Sequence, residues 1–306
     1  MKRRSALCAM VIATAAATTA AAPAGAAFPG RNGRIVFAAI RDGGSRSQIY
    51  SVRSDGSGVR KLTHVPRGSS AWKPHVSADG RSVVYVVSTQ DQNDQLWLMR
   101  SDGTDQHQLT TGQRFSPSGE GTAGFAPDGR IVYSRCGDYV EFFYTCKIVS
   151  VRPDGSDMHI IIGGRWHPKE PVVSPDGSTI AYVSDLGGRD ARVWLADADG
   201  ANRRAITSGL KFIEGLSWSP DGTHIAFGGV TRNIAVYAIA TDGSYLKKVV
   251  PGATFPAWSP NGRWLVYVSE LRGRFERARP DGTDISVVVD PTVRTVIDIS
   301  DWGVAP

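Results

Sequence analysis

The sequence predicts an all-β protein, a six-bladed β-propeller whose blades are four-stranded antiparallel sheets. First, an Asp-Gly or Asn-Gly pair recurs six times at intervals of 40 to 49 residues. Second, each pair leads into an apolar run rich in β-branched and aromatic residues. Third, every repeat contains another Asp-Gly pair further along. Repeats of this length, built from short strands, are typical of propeller blades. The six leading pairs are Asn32-Gly33, Asp79-Gly80, Asp128-Gly129, Asp176-Gly177, Asp221-Gly222 and Asn261-Gly262.

The clearest copy of the repeat is the phrase Trp-Ser-Pro-Asp-Gly at residues 218–222, followed by the apolar run Ile225–Phe227. Asp-Gly between two apolar runs favours a tight hairpin, because glycine adopts positive φ at no cost and aspartate tolerates the left-handed region. The preceding proline fixes φ near the turn value and cannot extend a hydrogen-bonded ladder. The phrase therefore predicts strand one, a turn and strand two of each blade.

The second half of each repeat predicts strands three and four. In the fourth repeat Val193–Leu195 precedes Asp199-Gly200, and Ala205–Thr207 follows it. The sixth copy is the weakest and has Asp281-Gly282 as its second turn. A sheet of four short strands cannot bury both faces alone, so six sheets arranged radially bury each face on a neighbour.

The two ends of the chain predict how the ring closes. The first repeat begins at Arg31–Gly33, so it lacks its first strand, whereas residues 297–302 supply a strand without a repeat of its own. Trp302 takes the place that Trp218 and Trp258 hold in other repeats. We predict that the C-terminal strand completes the first blade, which removes an open edge that would otherwise promote aggregation. The chain shows no strong helix signal after its first residues, and we expect no second domain.

Residues 1–27 predict a signal peptide, and residues 28–306 the propeller. A basic start, Lys2–Arg4, is followed by an uncharged Ala-rich stretch and by a small-residue cleavage pattern that predicts cutting after Ala26 or Ala27. The paired arginines leave both the Sec and the twin-arginine routes open, and an uncleaved membrane anchor is the alternative. We expect an exported protein, periplasmic, in the cell envelope or extracellular, that does not span the membrane once the signal is removed.

The charge of the mature chain argues against nucleic-acid binding. The full sequence has 35 Lys and Arg against 29 Asp and Glu, a net charge of +6. Removal of the signal peptide takes away three basic residues and no acids, which leaves +3. A charge this small is a poor match to a polyanion, so we expect no nucleic-acid partner.

Two cysteines remain after the signal is removed. Cys136 and Cys146 flank a nine-residue aromatic stretch that we expect to be one loop of one blade. In an oxidising compartment this spacing favours a disulfide that closes the loop. Two buried thiols are the alternative, and two cysteines are too few for a structural zinc site.

The repeated phrase Trp-Ser-Pro-Asp-Gly with Ile-Ala-Phe, alternating with a second Asp-Gly turn and Leu-Thr, resembles the TolB-type β-propeller repeat, a relative of the WD-type propellers. The resemblance covers residues 31–306 and does not extend to the N-terminal α/β domain of TolB. It implies an exported protein that binds other proteins through a propeller face. Related propellers serve as accessory domains of serine peptidases, and some act as polysaccharide lyases.

The strand order predicts two unlike rims. Both Asp-Gly turns of each blade fall on one rim, the turn rim, and turn chemistry alone explains their aspartates. The loops between strands two and three and the loops between blades fall on the other, the loop rim, which varies from blade to blade as binding loops do. Ordinary polar loops are the alternative to a binding surface there. We predict that this surface is formed by Arg41, Asp91, Asp94, Tyr139, Arg165, Trp166, His167, Arg189 and Arg272.

Sequence patterns typical of enzymes are mostly missing. There is no Gly-x-Ser-x-Gly nucleophile elbow, no His-Glu-x-x-His helix and no helix-opening dinucleotide fingerprint, so we expect no catalytic residue, metal or cofactor. His167 beside Arg165 and Lys169 fits a lyase that needs a base and a cation. The sequence therefore predicts a non-enzymatic scaffold that binds a protein or peptide, with a glycan-active or carbohydrate-binding propeller as the alternative.

Overall fold

The computed structural model describes residues 28–41, 45–89, 94–110, 122–140, 143–164, 167–185, 190–289 and 295–306. The predicted signal peptide, residues 1–27, lies outside them. Across the described ranges, no helix is long and apolar enough to cross a bilayer.

The described residues form 24 strands, which pair into six four-stranded sheets. In chain order the strands are β1 (Asn32–Ile40), β2 (Gln48–Val52), β3 (Arg60–Lys61), β4 (Ser70–Val76), β5 (Ser82–Ser88), β6 (Asp94–Arg100), β7 (His107–Gln108), β8 (Ala123–Phe125), β9 (Ile131–Val140), β10 (Phe143–Val151), β11 (His159–Ile162), β12 (Lys169–Val173), β13 (Thr179–Ser184), β14 (Arg192–Asp197), β15 (Arg204–Ala205), β16 (Phe212–Trp218), β17 (His224–Val230), β18 (Ile234–Ala240), β19 (Lys247–Pro251), β20 (Ala253–Trp258), β21 (Leu265–Ser269), β22 (Arg274–Ala278), β23 (Ser286–Val289) and β24 (Thr295–Val304).

Blades 2 to 6 are each built from four consecutive strands, starting at β4, β8, β12, β16 and β20. Blade 1 has the order β24-β1-β2-β3, so its first strand comes from the end of the chain. The six first strands contact one another in sequence around the ring, from β24 through β4 and back, and therefore surround a central channel. The predicted six-bladed, all-β architecture is confirmed.

Ring closure joins the two ends of the chain within one sheet. β24 pairs antiparallel with β1, with Ile35 opposite Trp302. The indole of Trp302 is buried, as are those of Trp218 and Trp258. Asp301 Oδ2 also accepts a hydrogen bond of 2.9 Å from the backbone N–H of Val76, which ties blade 1 to blade 2. The closure predicted from the unmatched C-terminal strand is confirmed.

In blades 2, 4, 5 and 6 the first turn is held by a serine and an acidic or amide side chain. In blade 5 the N–H of Gly222 donates to the Ser219 carbonyl at 2.9 Å, and Asp221 Oδ1 accepts from the N–H of Thr223 at 3.0 Å. The hydroxyl of Ser219 donates to the same carboxylate at 2.6 Å and accepts from the N–H of His224 at 2.9 Å. These bonds stabilise the charged carboxylate, so the pKa of Asp221 lies below its ordinary value despite the opposing effect of burial. The turn thus satisfies its own polar groups.

The glycine of the second turn packs each blade against the one before it. A β-carbon placed on Gly103 would lie 2.9 Å from the carbonyl oxygen of Leu62 in blade 1, and one on Gly282 would lie 2.5 Å from that of Val249 in blade 5. Since the contacted residue belongs to the outermost strand or the residues just after it, each turn covers part of its neighbour's exposed edge. Such coverage protects a sheet edge from pairing with another chain.

Apolar side chains fill the spaces between blades. One cluster joins blades 4 and 5 and includes Val193, Leu195, Trp218 and Phe227. The indole nitrogen of Trp218 donates to the carbonyl of Val172 at 3.1 Å, so the polar end of this buried ring is satisfied across the blade boundary. The core is therefore a series of inter-blade layers around the channel.

Candidate functional site

The structure describes five of the nine residues predicted to form the loop-rim surface. Arg41, Asp94, His167 and Arg272 lie at this rim, and the backbone of Tyr139 lies in β9 opposite Tyr144. The other four, Asp91, Arg165, Trp166 and Arg189, lie outside the described residues.

Asp94 is buried at the start of β6, where its carboxylate accepts a hydrogen bond from the hydroxyl of Ser88. Burial raises its pKa above the ordinary value, although the Ser88 bond and the nearby Lys73 charge act in the opposite direction. Asp94 is therefore placed to support the rim from beneath, and its carboxylate is not displayed to solvent.

The two described arginines of the predicted set pack against their own blades. The guanidinium of Arg41 lies 5.4 Å from the ring centroid of Tyr50, within the range of a cation–π contact. Arg272 Nη1 lies 3.2 Å from the carboxylate of buried Glu276, and its own side chain stays largely exposed. Arg272 is thus presented at the rim by a buried acid, while Arg41 is held by an aromatic ring.

The channel mouth contains charged residues that the sequence reasoning missed. Lys73 Nζ donates to Thr122 Oγ1 at 3.1 Å and lies 3.6 Å from Glu170 Oε1. The other carboxylate oxygen of Glu170 accepts from the N–H of Gly215 at 2.8 Å. These four residues come from blades 2, 3, 4 and 5, so the Lys73–Glu170 ion pair crosses the opening in front of blade 3. A network of this kind narrows the channel and fixes the inner strands relative to one another.

A repeated bulge sets the position of these side chains. Lys73, Glu170 and Phe255 have φ of 48°, 52° and 48°, and each first strand shifts register at that point. A bulge bends its strand and redirects the side chain next to it. All lie six residues before the acidic or amide residue of the first turn, as Thr122 and Gly215 also do. The sequence signal for these residues is a position in the repeated phrase at which the residue type differs from blade to blade.

Blades 5 and 6 give the mouth an apolar side. Phe212, the first residue of β16, is exposed, and so is Leu271 in the loop after β21. Leu271 lies against Gly252 at the start of the first strand of blade 6, and Phe255 contacts Gly215 across the blade boundary. The mouth therefore has an ion pair on blades 2 to 4 and exposed apolar side chains, beside the exposed Arg272, on blades 5 and 6.

Deeper in the channel, a buried pair of ionisable groups faces a small cavity. His75 Nδ1 lies 3.9 Å from Asp301 Oδ2, and both line a cavity of about 20 Å³ together with Ser217 and Phe28. Burial, with a smaller effect of the Lys73 charge, lowers the pKa of His75 to about 4. Burial raises the pKa of Asp301 to about 7, against two backbone hydrogen bonds that favour its charged form. The cavity has room for about one water molecule, so this Ser, His and Asp set is packed as a structural centre.

The predicted disulfide is present, but its setting differs from the prediction. Cys136 and Cys146 are bonded and lie opposite each other on β9 and β10. The residues between them were expected to form a loop, and instead both strands continue past the disulfide, with Phe143 paired to Val140. Their aromatic and β-branched residues favour strand over loop. The hairpin is anchored near its middle by the disulfide.

Two larger cavities lie at the turn rim. One, of about 400 Å³, lies between blades 4 and 5 and is lined by Asp176, Asp221 and Arg204; the other, of similar volume, lies between blades 3 and 4. Their aspartates are engaged in the turns described above. In the part of the chain that the structure covers, no group of three or more His, Cys, Asp or Glu is arranged to hold a metal ion. The candidate site is therefore the two-sided channel mouth on the loop rim.

No protein-family model matches the sequence. The chain is 30% identical over 199 residues to an uncharacterized protein of Agrobacterium fabrum, covering 60% of this chain and 61% of that protein. It is 23% identical over 275 residues to dipeptidyl-peptidase 5 of Porphyromonas endodontalis, covering 79% of this chain and 35% of that protein. The chain thus spans less than two thirds of the length of these curated relatives.

Among solved structures, TolB from Acinetobacter baumannii matches with a TM-score of 0.68 and 19% identity over 82% of this chain and 62% of that one. A chain of a nidogen/laminin complex matches with a TM-score of 0.67 and 13% identity over 88% of this chain and 97% of that one. Oligogalacturonate lyase from Vibrio parahaemolyticus matches with a TM-score of 0.56 and 16% identity over 87% of this chain and 78% of that one. These likenesses establish the fold, a TolB-like six-bladed propeller, as the repeated phrase predicted.

Proposed function

We propose, starting from this TolB-like propeller fold, that the protein is an exported, non-enzymatic scaffold that binds a protein or peptide at the loop rim, over the channel mouth. The observation that carries the proposal is the two-sided mouth. The largely buried Lys73–Glu170 ion pair lies on one side, and Phe212 and Leu271 offer exposed apolar surface on the other. Exposed aromatic and aliphatic anchors next to polar groups are the composition of protein-binding surfaces.

Binding needs no movement of the blades. The inner strands are tied together by side-chain bonds such as that from the Thr254 hydroxyl to Glu214. A rigid platform that carries variable loops lowers the entropy lost when a partner docks. The nidogen/laminin likeness supports the proposal, since a propeller of similar shape was solved there within a complex of two proteins.

The test is capture of partners from a cell-envelope extract by the purified mature protein. We expect at least one protein to be retained by the wild type and lost with Leu271→Asp. The matched control is Ile160→Asp, which adds the same charge at an exposed aliphatic position on the outer strand of blade 3. Capture that is absent, or that both variants reduce equally, would reject the loop rim as the binding surface.

The glycan-active alternative rests on the loop around His167. Lys169 Nζ lies 2.9 Å from Asp185 Oδ2 beside this histidine, so a cation and a titratable ring share one part of the rim. The likeness to an oligogalacturonate lyase supports a test of this class. Incubation with acidic polysaccharides, followed by absorbance of unsaturated products, measures lyase activity. Turnover that His167→Ala abolishes would replace the scaffold proposal.

Export itself is a separate proposal. It rests on the predicted cleavage pattern and on the Cys136–Cys146 disulfide, because disulfides form and persist in oxidising compartments. Mass spectrometry of the protein from the native host should show a chain that begins at Ala27 or Phe28. An intact N-terminus in the cytosolic fraction, with both thiols reduced, would contradict it.

A further inference from the structure

The turn rim carries an exposed apolar area of its own, on blades 5 and 6. Tyr245 is 86% exposed, Leu246 43%, Ile285 48% and Val287 45%. The two blades touch here, because Lys247 Nζ donates to the carbonyl oxygen of Asp281 at 3.1 Å. We name these four apolar residues, with Lys247 and Lys248, the blade 5–6 patch.

The backbone of Tyr245 is held in a conformation that tyrosine disfavours. The residue two positions after the second-turn glycine has positive φ in every blade, and φ of Tyr245 is 55°. Glycine, asparagine and aspartate tolerate this region, whereas a bulky side chain does not. An outlier whose side chain projects into solvent points to a contact outside the chain. The six residues at this position are Gly58, Asp105, Asp157, Asn202, Tyr245 and Asp284.

The charges around the patch are slightly positive. Arg204 lies near Asp242, Lys247 near Asp281, and Arg279 Nε 3.3 Å from Asp284 Oδ2. Lys248 is a further exposed cation. The patch is thus surrounded by four cations and three carboxylates, and each carboxylate already lies beside a cation. The excess positive charge favours an anionic occupant.

We propose that the blade 5–6 patch is a peripheral membrane-contact surface that binds an anionic phospholipid interface. Tyrosine is favoured at the headgroup level, aliphatic side chains enter the acyl boundary, and lysines reach phosphates by extending their stems. A protein partner fits less well, because a stable protein interface has about 20–30 residues on each side and the patch has six.

The orientation that follows suits the loop-rim site without depending on it. A surface docked through the turn rim of blades 5 and 6 leaves the channel mouth on the opposite rim facing away from the lipid. Membrane contact at the turn rim and partner binding at the loop rim can therefore each fail without the other.

The experiment is sedimentation of the mature protein with vesicles of equal parts phosphatidylglycerol and phosphatidylcholine, and with pure phosphatidylcholine vesicles. We expect binding to the anionic vesicles that weakens in high salt. Tyr245→Asp with Leu246→Asp should lower partitioning at least tenfold. The Tyr245→Asp change installs the residue found at the equivalent position in three other blades, so the variant is expected to fold. Lys248→Glu should lower partitioning several-fold, as expected for a basic residue near an anionic surface.

Ile160→Asp in blade 3 is the matched control for the single change Leu246→Asp, because each adds one negative charge at an exposed aliphatic residue and Ile160 lies outside the patch. It should bind vesicles as the wild type does. Wild-type protein that stays in the supernatant overturns the proposal, and so does an equal loss in Leu246→Asp and Ile160→Asp. If the double variant instead abolishes a concentration-dependent dimer seen by analytical ultracentrifugation, the patch is a protein interface and the proposal is wrong.

Discussion

The position six residues before the first turn holds a different side chain in each blade where it is described: Lys73, Thr122, Glu170, Gly215 and Phe255. The backbone has positive φ at most of these positions. The side chains differ: two are charged, one carries a hydroxyl, one is aromatic, and Gly215 has none. The sequence reasoning took the variable loops as the source of specificity and missed this position. Its importance depends on the ring, since Lys73 meets Glu170 only when blades 2 and 4 are brought together.

Asp94 is a residue that the sequence predicted to lie on the binding surface and that the structure buries. Its loop context predicted an exposed acid, yet the chain folds Ser88 onto it and buries it. Whether a polar residue at a strand end points outward or packs inward depends on neighbours that are distant in sequence. Residue type alone therefore could not separate Asp94 from Arg272, which does reach the surface.

The replacement Asp301→Asn should have a cost that depends on pH. Burial raises the pKa of Asp301 to about 7 in the fold, from about 3.9 in an unfolded chain, so its contribution to stability is fully present at low pH and is lost as pH rises towards 7. Asparagine at this position has one acceptor oxygen, so one of the two backbone hydrogen bonds to Asp301 is lost at every pH. Its amide is neutral, so no buried charge forms when the pH rises. We expect the variant's loss of unfolding free energy to shrink by roughly 2 kcal/mol between pH 5 and pH 8.

Urea unfolding of both proteins at the two pH values measures this difference. His75 changes stability in the opposite direction, because its lowered pKa makes its contribution present above about 6.5 and lost as pH falls through about 4. Because His75 lies 3.9 Å from Asp301, its titration is coupled to the substitution, and the same comparison in a His75→Gln background separates the two effects. A cost that is equal at pH 5 and pH 8 would show that Asp301 in the fold does not titrate with a raised pKa between these two pH values.

At the scale of strands and turns, local chemistry was enough to predict most of the fold. Asp-Gly turns fix where strands begin because their conformational demands are met within four or five residues, as Ser219 and Asp221 show. The continuation of the β9–β10 hairpin past the cysteines was missed, because the stretch between the cysteines was expected to be a loop. Its length is set by pairing across the hairpin and by the disulfide, which local signals do not report.

Replacement of both Cys136 and Cys146 by serine should destabilise the hairpin and leave the ring folded. Closing a loop of this size, with a sequence separation of 10, is expected to contribute about 2–3 kcal/mol. Hydrogen exchange should accelerate at the amides of β9 and β10 beyond the cysteines, while β5, β13 and β21 keep their protection. Global unfolding of the reduced form would contradict a local role.

The turn glycines, of the second turn as in Gly282 or of the first turn as in Gly129, should be sensitive to substitution in proportion to inter-blade contact. Gly282 has φ of 91° and would place a β-carbon 2.5 Å from the Val249 carbonyl, whereas Gly129, with φ of 84°, has nothing described within 4 Å. Gly129→Ala should cost about 1 kcal/mol of unfolding free energy from backbone conformation alone. Gly282→Ala should cost at least about 1 kcal/mol more because blade 6 must move away from blade 5. Equal melting temperatures for the two variants would argue against close packing at this turn.

At the scale of the whole molecule, the ring was predictable because one repeat lacked a strand and the C-terminus supplied one. The pairing of Ile35 with Trp302 shows that the C-terminal strand occupies the place of the missing strand. The function was less predictable, since many propellers share the fold and differ only in their rims. The charged and apolar residues of the channel mouth are far apart in the sequence and come together only in the folded ring.

Trp302→Ala should weaken the closure and therefore the entire fold. A buried tryptophan lost from a core costs about 3–5 kcal/mol, and this one lies where blades 6 and 1 meet. The matched control is Trp264→Ala, where a partly buried ring stacks between Arg277 and Arg279 at 4.5 and 4.1 Å. We expect a much smaller change there, about 1 kcal/mol. Thermal unfolding that ranks the two variants in reverse order would remove the closure strand from its central role.

The pairing of β1 with β24 has a consequence for the order in which the protein can mature. The sheet that contains the earliest strand cannot be completed until residues 295–304 have been made, because they supply its innermost strand. A chain emerging from a ribosome or a translocation pore therefore carries an incomplete first blade until these residues have been made. The open edge of β1 stays accessible to chaperones and proteases until β24 pairs with it, so this pairing is the step that completes the ring.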